Sequence, residues 1–260
     1  MKKRIVFIII LVFLKSGIAF PQEENNNIFG FTIGFTEYQV KEKVLNNIRH
    51  RGMFFSGGLF YEKIKEFSYQ KFELYMIYNK LKSRYDPDKA TTAVNLSLNY
   101  MYAKKVKDIK DDFCFFLGGV IGLDSYVSFY DNWDDSHGYW LTSYYLGLDA
   151  ILTYQTSDKS SLFIEFNTPV VALISRPPER ILYKMDNPGF SSAIKKLHEN
   201  LRLTSMHQHF VLNINLGYTF QYFNKFKQSI FWRFMYLDNN MTYSKKINIL
   251  IHTLGTSFRF

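Results

Sequence analysis

Apolar and polar residues alternate along most of this chain with a period of two, which is the period of a β-strand. In residues 28–40, phenylalanine or isoleucine stands at every second position from 29 to 35, with glycine or threonine in between. Ten such segments can be counted, each about ten residues long or slightly longer. Tilted strands of that length cross a lipid bilayer. The pattern therefore predicts an all-β protein whose strands span a membrane.

The predicted strands cover residues 28–40, 53–64, 69–81, 92–103, 113–127, 139–155, 161–175, 209–223, 229–237 and 247–260. An even number of antiparallel strands can close first on last and leave no unpaired edge in lipid. The connections alternate between long and short, as in bacterial membrane barrels. Residues 104–112 are long for a short turn, and residues 176–208 contain a predicted short helix, Ser191 to Arg202. We therefore expect a ten-stranded, up-and-down transmembrane β-barrel.

Alternation alone does not distinguish a membrane barrel from a soluble one, whose apolar residues point inward. A soluble barrel would carry lysine and glutamate on its polar face, whereas most of that face is small and uncharged here. Its residues include Gly58, Asn95, Ser97, Asn99, Gly118, Gly122, Ser143, Gly147, Asn213, Asn215 and Gly217. Aromatic residues make up 18% of the chain and fall near strand ends, where membrane barrels have aromatic girdles. The apolar face is therefore expected to meet lipid.

The last predicted strand, Ile247 to Phe260, alternates in the same way and ends on an aromatic residue. Its apolar face carries Leu250, Leu254, Phe258 and Phe260. This strand resembles the C-terminal strand of Gram-negative outer-membrane β-barrel proteins. The resemblance implies that Phe258 and Phe260 form a membrane insertion signal, which the barrel-assembly machinery reads.

Residues 1–19 are typical of a secretory signal peptide: a basic start, an apolar run from 5 to 14, and a small-x-small cleavage site ending at Ala19. The apolar run is too short to span the membrane as a helix. Cleavage would lower the formal net charge from +9 to +5, because four basic residues leave with the peptide. The predicted organisation is a signal peptide, residues 1–19, and an outer-membrane barrel domain, residues 20–260.

Several charged residues fall on the face that points into the barrel. They are Glu62, Glu73, Asp124, Asp149, Glu165, Lys71, Arg233 and Arg259. Ionic groups are costly in lipid, so we expect these side chains to pair across the interior as a lumen polar network. A salt-bridged plug that seals the barrel is one interpretation, and an ion or ligand path is the other. A barrel this narrow is not expected to have a wide open pore, although a small gated channel is an alternative.

One group of residues suggests hydrolysis. Ser205, His207 and His209 precede or begin the eighth predicted strand, near Glu165 and Asn167 of the seventh. A serine, a histidine base and a polar orienting group are what an esterase needs. Outer-membrane phospholipases and lipid A deacylases place such groups at the wall of a barrel. Neither a G-x-S-x-G elbow nor the His-x-Ser pair of outer-membrane phospholipase A is present.

A second alternative is a protease, because the omptin proteases are also ten-stranded barrels with acidic pairs and an Asp–His pair above the membrane. The third long connection offers Asp131, Asp134, Asp135 and His137. No second acidic pair of comparable position is found in the other connections. An acidic loop that is simply solvated is the alternative interpretation.

The five connections expected outside the cell carry a summed formal charge of +5. Basic loops favour lipopolysaccharide phosphates or another polyanion as partners. No nucleic-acid-binding motif, phosphate loop or cluster of metal ligands is seen in the sequence, so no nucleic acid, cofactor or metal is expected. We expect a non-enzymatic surface or structural barrel that binds a ligand through its basic loops, with the lipid hydrolase, the protease and the channel as alternatives.

Overall fold

The computed structural model describes residues 26–42, 49–83, 90–110, 112–130, 137–177, 183–184, 195–223, 226–241 and 246–260. The strands in these ranges are β1 (Asn26–Glu42), β2 (Arg49–Lys65), β3 (Ser68–Ser83), β4 (Ala90–Lys110), β5 (Phe113–Tyr130), β6 (His137–Ser157), β7 (Ser160–Ser175), β8 (Tyr183–Lys184), β9 (Arg202–Ser205), β10 (His209–Phe223), β11 (Phe226–Asn239) and β12 (Ile247–Arg259). No helix within these ranges is long and apolar enough to cross a membrane.

Ten long strands close into an antiparallel barrel. They follow chain order from β1 to β7 and then β10 to β12, and β12 pairs back onto β1. The seam continues beyond the strands, because the amide of Phe260 donates to the carbonyl of Phe29 over 2.9 Å. Closure satisfies backbone groups that lipid could not. The predicted ten-stranded transmembrane barrel is confirmed.

The two ends of the barrel differ in their connections. Short turns at one end join β2 to β3 through Glu66 and Phe67, and β6 to β7 through Asp158 and Lys159. We call this the turn end, and it also carries Phe29 and Phe260. The opposite end, which we call the loop end, carries β8 and β9. There β9 pairs with β7, and β8 pairs with β6.

The predicted strands agree with the observed ones to within four residues, apart from the end of β4. The prediction of a long connection at 104–112 is wrong. Strand β4 continues to Lys110 and pairs with β5 through two irregularities, the first between Lys105 and Lys107. This segment lies at the wet turn end, where a strand need not alternate in hydrophobicity, and so its sequence gives no strand signal.

The predicted helix from Ser191 to Arg202 is wrong in its second half. Residues 195–197 form a helical turn, and Arg202 begins β9. Asn200 has a φ of 58°, a left-handed conformation that no regular helix contains. The first four residues of the predicted helix, and the predicted signal peptide, lie outside the described residues.

The outer surface of the turn-end half is apolar. Side chains that are at least 36% exposed there include Phe29, Phe31, Ile33, Phe35, Leu59, Phe72, Leu74, Ile121, Leu148, Leu162, Ile164, Ile230 and Leu254. A soluble protein rarely exposes a continuous apolar surface of this size. We call it the apolar band, and lipid is the solvent that suits it.

The two faces of a strand exchange character towards the loop end. On β1 the outward series of Phe31, Ile33 and Phe35 gives way to charged or polar residues at 37, 39 and 41, while Tyr38 and Val40 turn inward and are buried. The inward face of β12 changes from Thr253 to the isoleucines at 247, 249 and 251. On these two strands, lipid therefore suits the outer surface towards the turn end, and water suits it towards the loop end.

The boundary between the halves explains the position of His252. It lies on the outer face, with its ring centroid 5.2 Å from that of Phe234 and 6.1 Å from that of Trp232. Its partner across the β1–β12 seam is Glu37, the first charged outward residue of β1. His252 therefore marks the loop-end edge of the apolar band, where amphipathic rings are favoured.

Glycines on the inner face make room for inward rings. A Cβ atom on Gly30 would lie 2.2 Å from the ring of Phe60, and one on Gly122 would lie 2.3 Å from the ring of Tyr145. Such distances are far inside van der Waals contact. The small residues of the inner face thus make room for aromatic side chains inside the barrel.

Candidate functional site

The turn-end half of the lumen contains an ion-pair network. Lys71 on β3 has its Nζ atom 3.1 Å from Oε2 of Glu165 on β7 and 3.8 Å from Oε2 of Glu73. Arg233 on β11 donates from Nη2 to Oε1 of Glu73 over 2.7 Å, and its guanidinium lies 4.4 Å from the ring centre of Tyr75. The contacts of Lys71 with Glu165 and of Arg233 with Glu73 cross the lumen and join strands that are not neighbours in the sheet.

A second group of contacts extends this network towards the chain terminus. Arg259 on β12 donates from Nε to Oε2 of Glu62 over 3.2 Å, and also donates to the hydroxyl of Ser229. The hydroxyl of Tyr69 donates to the other oxygen of Glu62 over 3.1 Å. Glu62, Glu73 and Glu165 are thus matched by three cations in a largely buried space, which is how buried charges are normally tolerated.

Two further predicted carboxylates lie inside the barrel outside these pairs. Asp124 accepts a hydrogen bond of 2.6 Å from the hydroxyl of Ser97. Asp149 is fully buried, and neither of its carboxylate oxygens has a hydrogen-bond partner among the described residues. All eight predicted lumen residues therefore lie in the interior, but Asp124 and Asp149 take no part in the ion pairs of the described residues.

An apolar cluster fills the loop-end half of the lumen. Its buried members include Val40, Ile77, Leu81, Leu141, Ile174, Val211, Leu237, Ile247, Ile249 and Ile251. The alternation predicted a polar inner face along the whole of each strand, and that prediction is wrong for this layer. The signal was present in the sequence, because the alternation changes phase around residue 37 of β1.

A polar group lies at the loop end, next to the apolar cluster. The buried ring of His209 contacts the Ser143 hydroxyl over 3.3 Å and the Asn239 side-chain amide over 3.1 Å. Arg176 donates to the side-chain oxygen Oδ1 of Asn239 and, over 2.9 Å, to the hydroxyl of Tyr139. Ser143 was expected on the inner face, but Arg176 and Asn239 were not predicted from the sequence, because no motif marks them.

A small cavity lies where the charged network and the apolar cluster meet. Its volume is about 60 Å³, and its lining includes Glu73 and Arg233 of the network and Ile77 and Met235 of the cluster. That is room for a few water molecules. Ligand pockets for drug-sized molecules are several times larger, starting at about 300 Å³.

The structure does not bring the candidate hydrolase residues together. Ser205 and His207 form an exposed pair, with 3.1 Å between the hydroxyl and Nε2, at the connection between β9 and β10. His209 points into the barrel, to Ser143 and Asn239. Glu165 binds Lys71 in the ion-pair network. The four residues therefore contact three separate sets of neighbours.

The candidate protease residues Asp131, Asp134 and Asp135 lie outside the described residues. Of His137 only the backbone is described, at the start of β6, where it pairs with Tyr130 and Lys184. Phe258 and Phe260 lie on the outer face beside the seam. The ring centroid of Phe31 is 4.9 Å from that of Phe258 and 6.1 Å from that of Phe260.

Several solved structures have a similar chain path. The outer membrane protease OmpT from Escherichia coli matches with a TM-score of 0.48 and 9% identity, covering 93% of this chain and 99% of that one. Neisserial surface protein A matches with a TM-score of 0.37 and 10% identity, covering 89% and 95%. Ail, the attachment invasion locus protein of Yersinia pestis, matches with a TM-score of 0.32 and 11% identity, covering 90% and 99%.

No protein-family model and no curated protein matches this chain. At such low identities, similarity to solved structures concerns the fold alone. The closed antiparallel barrel with an apolar outer band is the architecture of the outer-membrane β-barrels of Gram-negative bacteria.

Proposed function

We propose that this protein is an integral outer-membrane barrel, sealed along its axis, that acts as a non-enzymatic surface protein. In this proposal the turn end faces the periplasm and the loop end faces the outside of the cell, as the short turns and long loops of bacterial barrels suggest. Its work is binding at the loop end, where the connections are basic. The ligand class that this charge favours is a polyanion.

The observation that carries the proposal is the filling of the lumen in two layers. The charged network occupies the turn-end half, and the apolar cluster occupies the loop-end half. Ions crossing such an interior would have to break buried pairs and then pass hydrocarbon side chains. Wide aqueous channels belong to barrels with roughly sixteen or more strands.

The hydrolase alternative has little geometric support. The exposed Ser205–His207 pair lacks the third group that would orient the imidazole, if only described residues are considered. Glu165, the candidate for that role, is held by Lys71.

Ion conductance and hydrolysis by the refolded, membrane-inserted protein test the proposal together. We expect no steady current in planar bilayers, with a sixteen-stranded porin as the positive control, and no turnover of phospholipid, lipid A or basic peptides. A steady current would overturn the sealed-barrel proposal. Turnover that is lost in Ser205→Ala, His207→Ala or Asp135→Ala would overturn the non-enzymatic assignment and locate the catalytic site.

A further inference from the structure

Basic side chains are concentrated on the outer wall of β1, β2 and β3 near the loop end. The register places Lys41 directly opposite Arg49, and Arg51 directly opposite Lys82. Lys80 is two residues from Lys82 on the same face. Side chains directly opposite in an antiparallel pair have Cβ atoms about 4.5–5.5 Å apart. These five residues therefore form one surface, which we call the basic patch.

The basic patch carries far more cations than the described carboxylates can neutralise. Arg51, whose side chain is 61% exposed, pairs with Glu37 at 2.5 Å. None of the other four cations is ion-paired within the described part of the chain. Like charges placed directly opposite on a sheet are destabilising. A bound anion between Arg51 and Lys82 would relieve that repulsion.

Aromatic rings lie beside the patch, at the edge of the apolar band. The ring centroids of Phe35 and Phe55 are 4.4 Å apart, and Phe54 lies 5.6 Å from Phe55 and 5.5 Å from Tyr78. We call these four residues the aromatic shelf. Phe54, Phe55 and Tyr78 are each more than a third exposed, as is Phe35. The shelf therefore offers apolar surface immediately next to a cluster of cations.

A local irregularity of β2 produces the shelf. In a regular strand, consecutive residues face opposite sides, so Phe54 and Phe55 could not both be outside. Here β2 and β3 are not paired between Arg51 and Ser56. The buried side chain of Asn79 donates to the carbonyls of Gly52 and Thr36, at 3.3 Å each, and so holds the interruption. The irregularity thus brings an extra aromatic ring to the outer face below the patch.

The basic patch lies on β1, β2 and β3, and the strands of the opposite wall lack such cations. Residues 113–130 and 137–157, which contain β5 and β6, include no lysine or arginine. A ring of cations around the whole barrel would suit general attraction to a charged membrane surface. A single patch above a shelf suits one bound molecule that has anionic groups at one end and hydrocarbon at the other.

We propose that the patch and the shelf together bind a phosphorylated lipid of the surrounding leaflet. Its phosphates lie between Arg49, Arg51 and Lys82, and its acyl chains lie on the aromatic shelf. Arginine and lysine bind phosphate through charge and charge-assisted hydrogen bonds. In the outer leaflet of an outer membrane, this chemistry is that of the lipid A part of lipopolysaccharide. The inference rests on the orientation given in the proposed function, but not on the sealed lumen.

Lipid retention measured by native mass spectrometry tests this inference. The barrel is refolded without lipopolysaccharide, incubated with bis-phosphorylated, mono-phosphorylated or dephosphorylated lipid A, and then passed through detergent exchange. We expect retention to fall with each phosphate removed. Arg49→Gln/Lys82→Gln should lose at least tenfold in retention. The matched control Lys63→Gln/Lys104→Gln removes two outward cations at the turn end and should retain lipid like the parent protein.

A variant of the aromatic shelf distinguishes a lipid phosphate from the phosphate of a soluble molecule. Phe54→Ser should lower retention of lipid A without changing the binding of inositol hexakisphosphate, a soluble polyanion. Equal effects of the patch and control variants would overturn the inference. So would a shelf variant that retains lipid A normally while the soluble polyanion competes fully, because a soluble ligand would then be the occupant. Heat-modifiable gel migration confirms that each variant is folded, and a conducting barrel that still retains lipid A would overturn only the sealed-barrel proposal.

Discussion

Arg233 donates a 2.7 Å hydrogen bond to Glu73 from the opposite wall of the barrel, although the two residues are separated by 160 positions in the sequence. Both side chains are largely buried, and Lys71 connects the pair to Glu165. A buried ion pair contributes little compared with well-packed apolar residues, but removing one partner leaves an uncompensated charge. Single substitutions in this pair therefore test whether the ion-pair network stabilises the barrel.

We expect Arg233→Ala to lower the free energy of unfolding by about 3–5 kcal/mol, because Glu73 would remain charged and buried. Urea unfolding in lipid vesicles would measure the loss. The double variant Arg233→Met/Glu73→Gln should recover most of it. Arg51→Ala breaks an exposed pair and should cost about 1 kcal/mol or less.

Neither single variant should conduct, because the apolar cluster still fills the loop-end half of the lumen. A steady current in Arg233→Ala would show that this cluster does not seal the barrel.

Packing of inward rings against glycine gives a second prediction. A Cβ atom on Gly122 would lie 2.3 Å from the ring of Tyr145, whose hydroxyl donates to Asn99 over 2.7 Å. Gly122→Ala should therefore destabilise the barrel by about 1–3 kcal/mol, the usual cost of overpacking. Gly119 on the same strand points outward, and its added Cβ would have its nearest neighbour at 3.4 Å. Gly119→Ala should unfold at nearly the same urea concentration as the parent, and equal losses would contradict the inward packing.

The exchange of faces along β12 can be tested by placing a charge at each of two outward positions, Leu254 and Leu250. Leu254 is 63% exposed in the apolar band, so Leu254→Lys should cost roughly 2–4 kcal/mol if it lies near the membrane midplane. Leu250 lies outward beyond the band, and Leu250→Lys should cost about 1 kcal/mol or less. Ile249→Ala should cost about 2–5 kcal/mol, because that residue is buried in the apolar cluster. A large penalty at Leu250 would place the edge of the lipid nearer the loop end.

A variant of Phe260 tests assembly in cells separately from the stability of the folded barrel. Its backbone closes the seam with Phe29, and its ring lies 5.5 Å from that of Phe226 at the outer surface. A charge at this edge of the band should cost about 1 kcal/mol or less in the finished barrel. If the terminal strand is an assembly signal, Phe260→Glu should sharply reduce the amount of barrel in the outer membrane of cells. It should still refold in lipid vesicles, and normal assembly in cells would contradict the signal.

The ten-stranded barrel could be predicted from the sequence because a period of two marks most of each long strand. The sequence was insufficient where a segment forms a strand without alternating in hydrophobicity. The end of β4, rich in lysine, is strand because its backbone pairs with β5, and that pairing leaves no trace in side-chain pattern. The short strand β9 depends on a partner, β7, that lies far away in sequence.

The lumen residues show the same division. That Glu73 and Arg233 point inward follows from parity along their strands. Whether they contact one another depends on the curvature of the closed sheet, and the alternation along a strand carries no information about that curvature. The change of phase on β1, with Glu37 outward and Tyr38 inward, is present in the amino-acid sequence. The prediction of one continuous apolar outer face is wrong here, because the hydrophobic residues of β1 move to the inner face at this point.

The exchange of faces also determines how far the protein stands above the lipid. From Glu37, the first charged outward residue, β1 continues as regular strand to Glu42. At about 3.3 Å per residue and a tilt near 40°, this segment rises by roughly 12 Å. The headgroup layer of one leaflet is only about 5–8 Å thick. In the proposed orientation, Arg51, which pairs with Gln39 only two residues along β1 from Glu37, lies at headgroup height, and the end of β1 carries the loop-end connections beyond the headgroups.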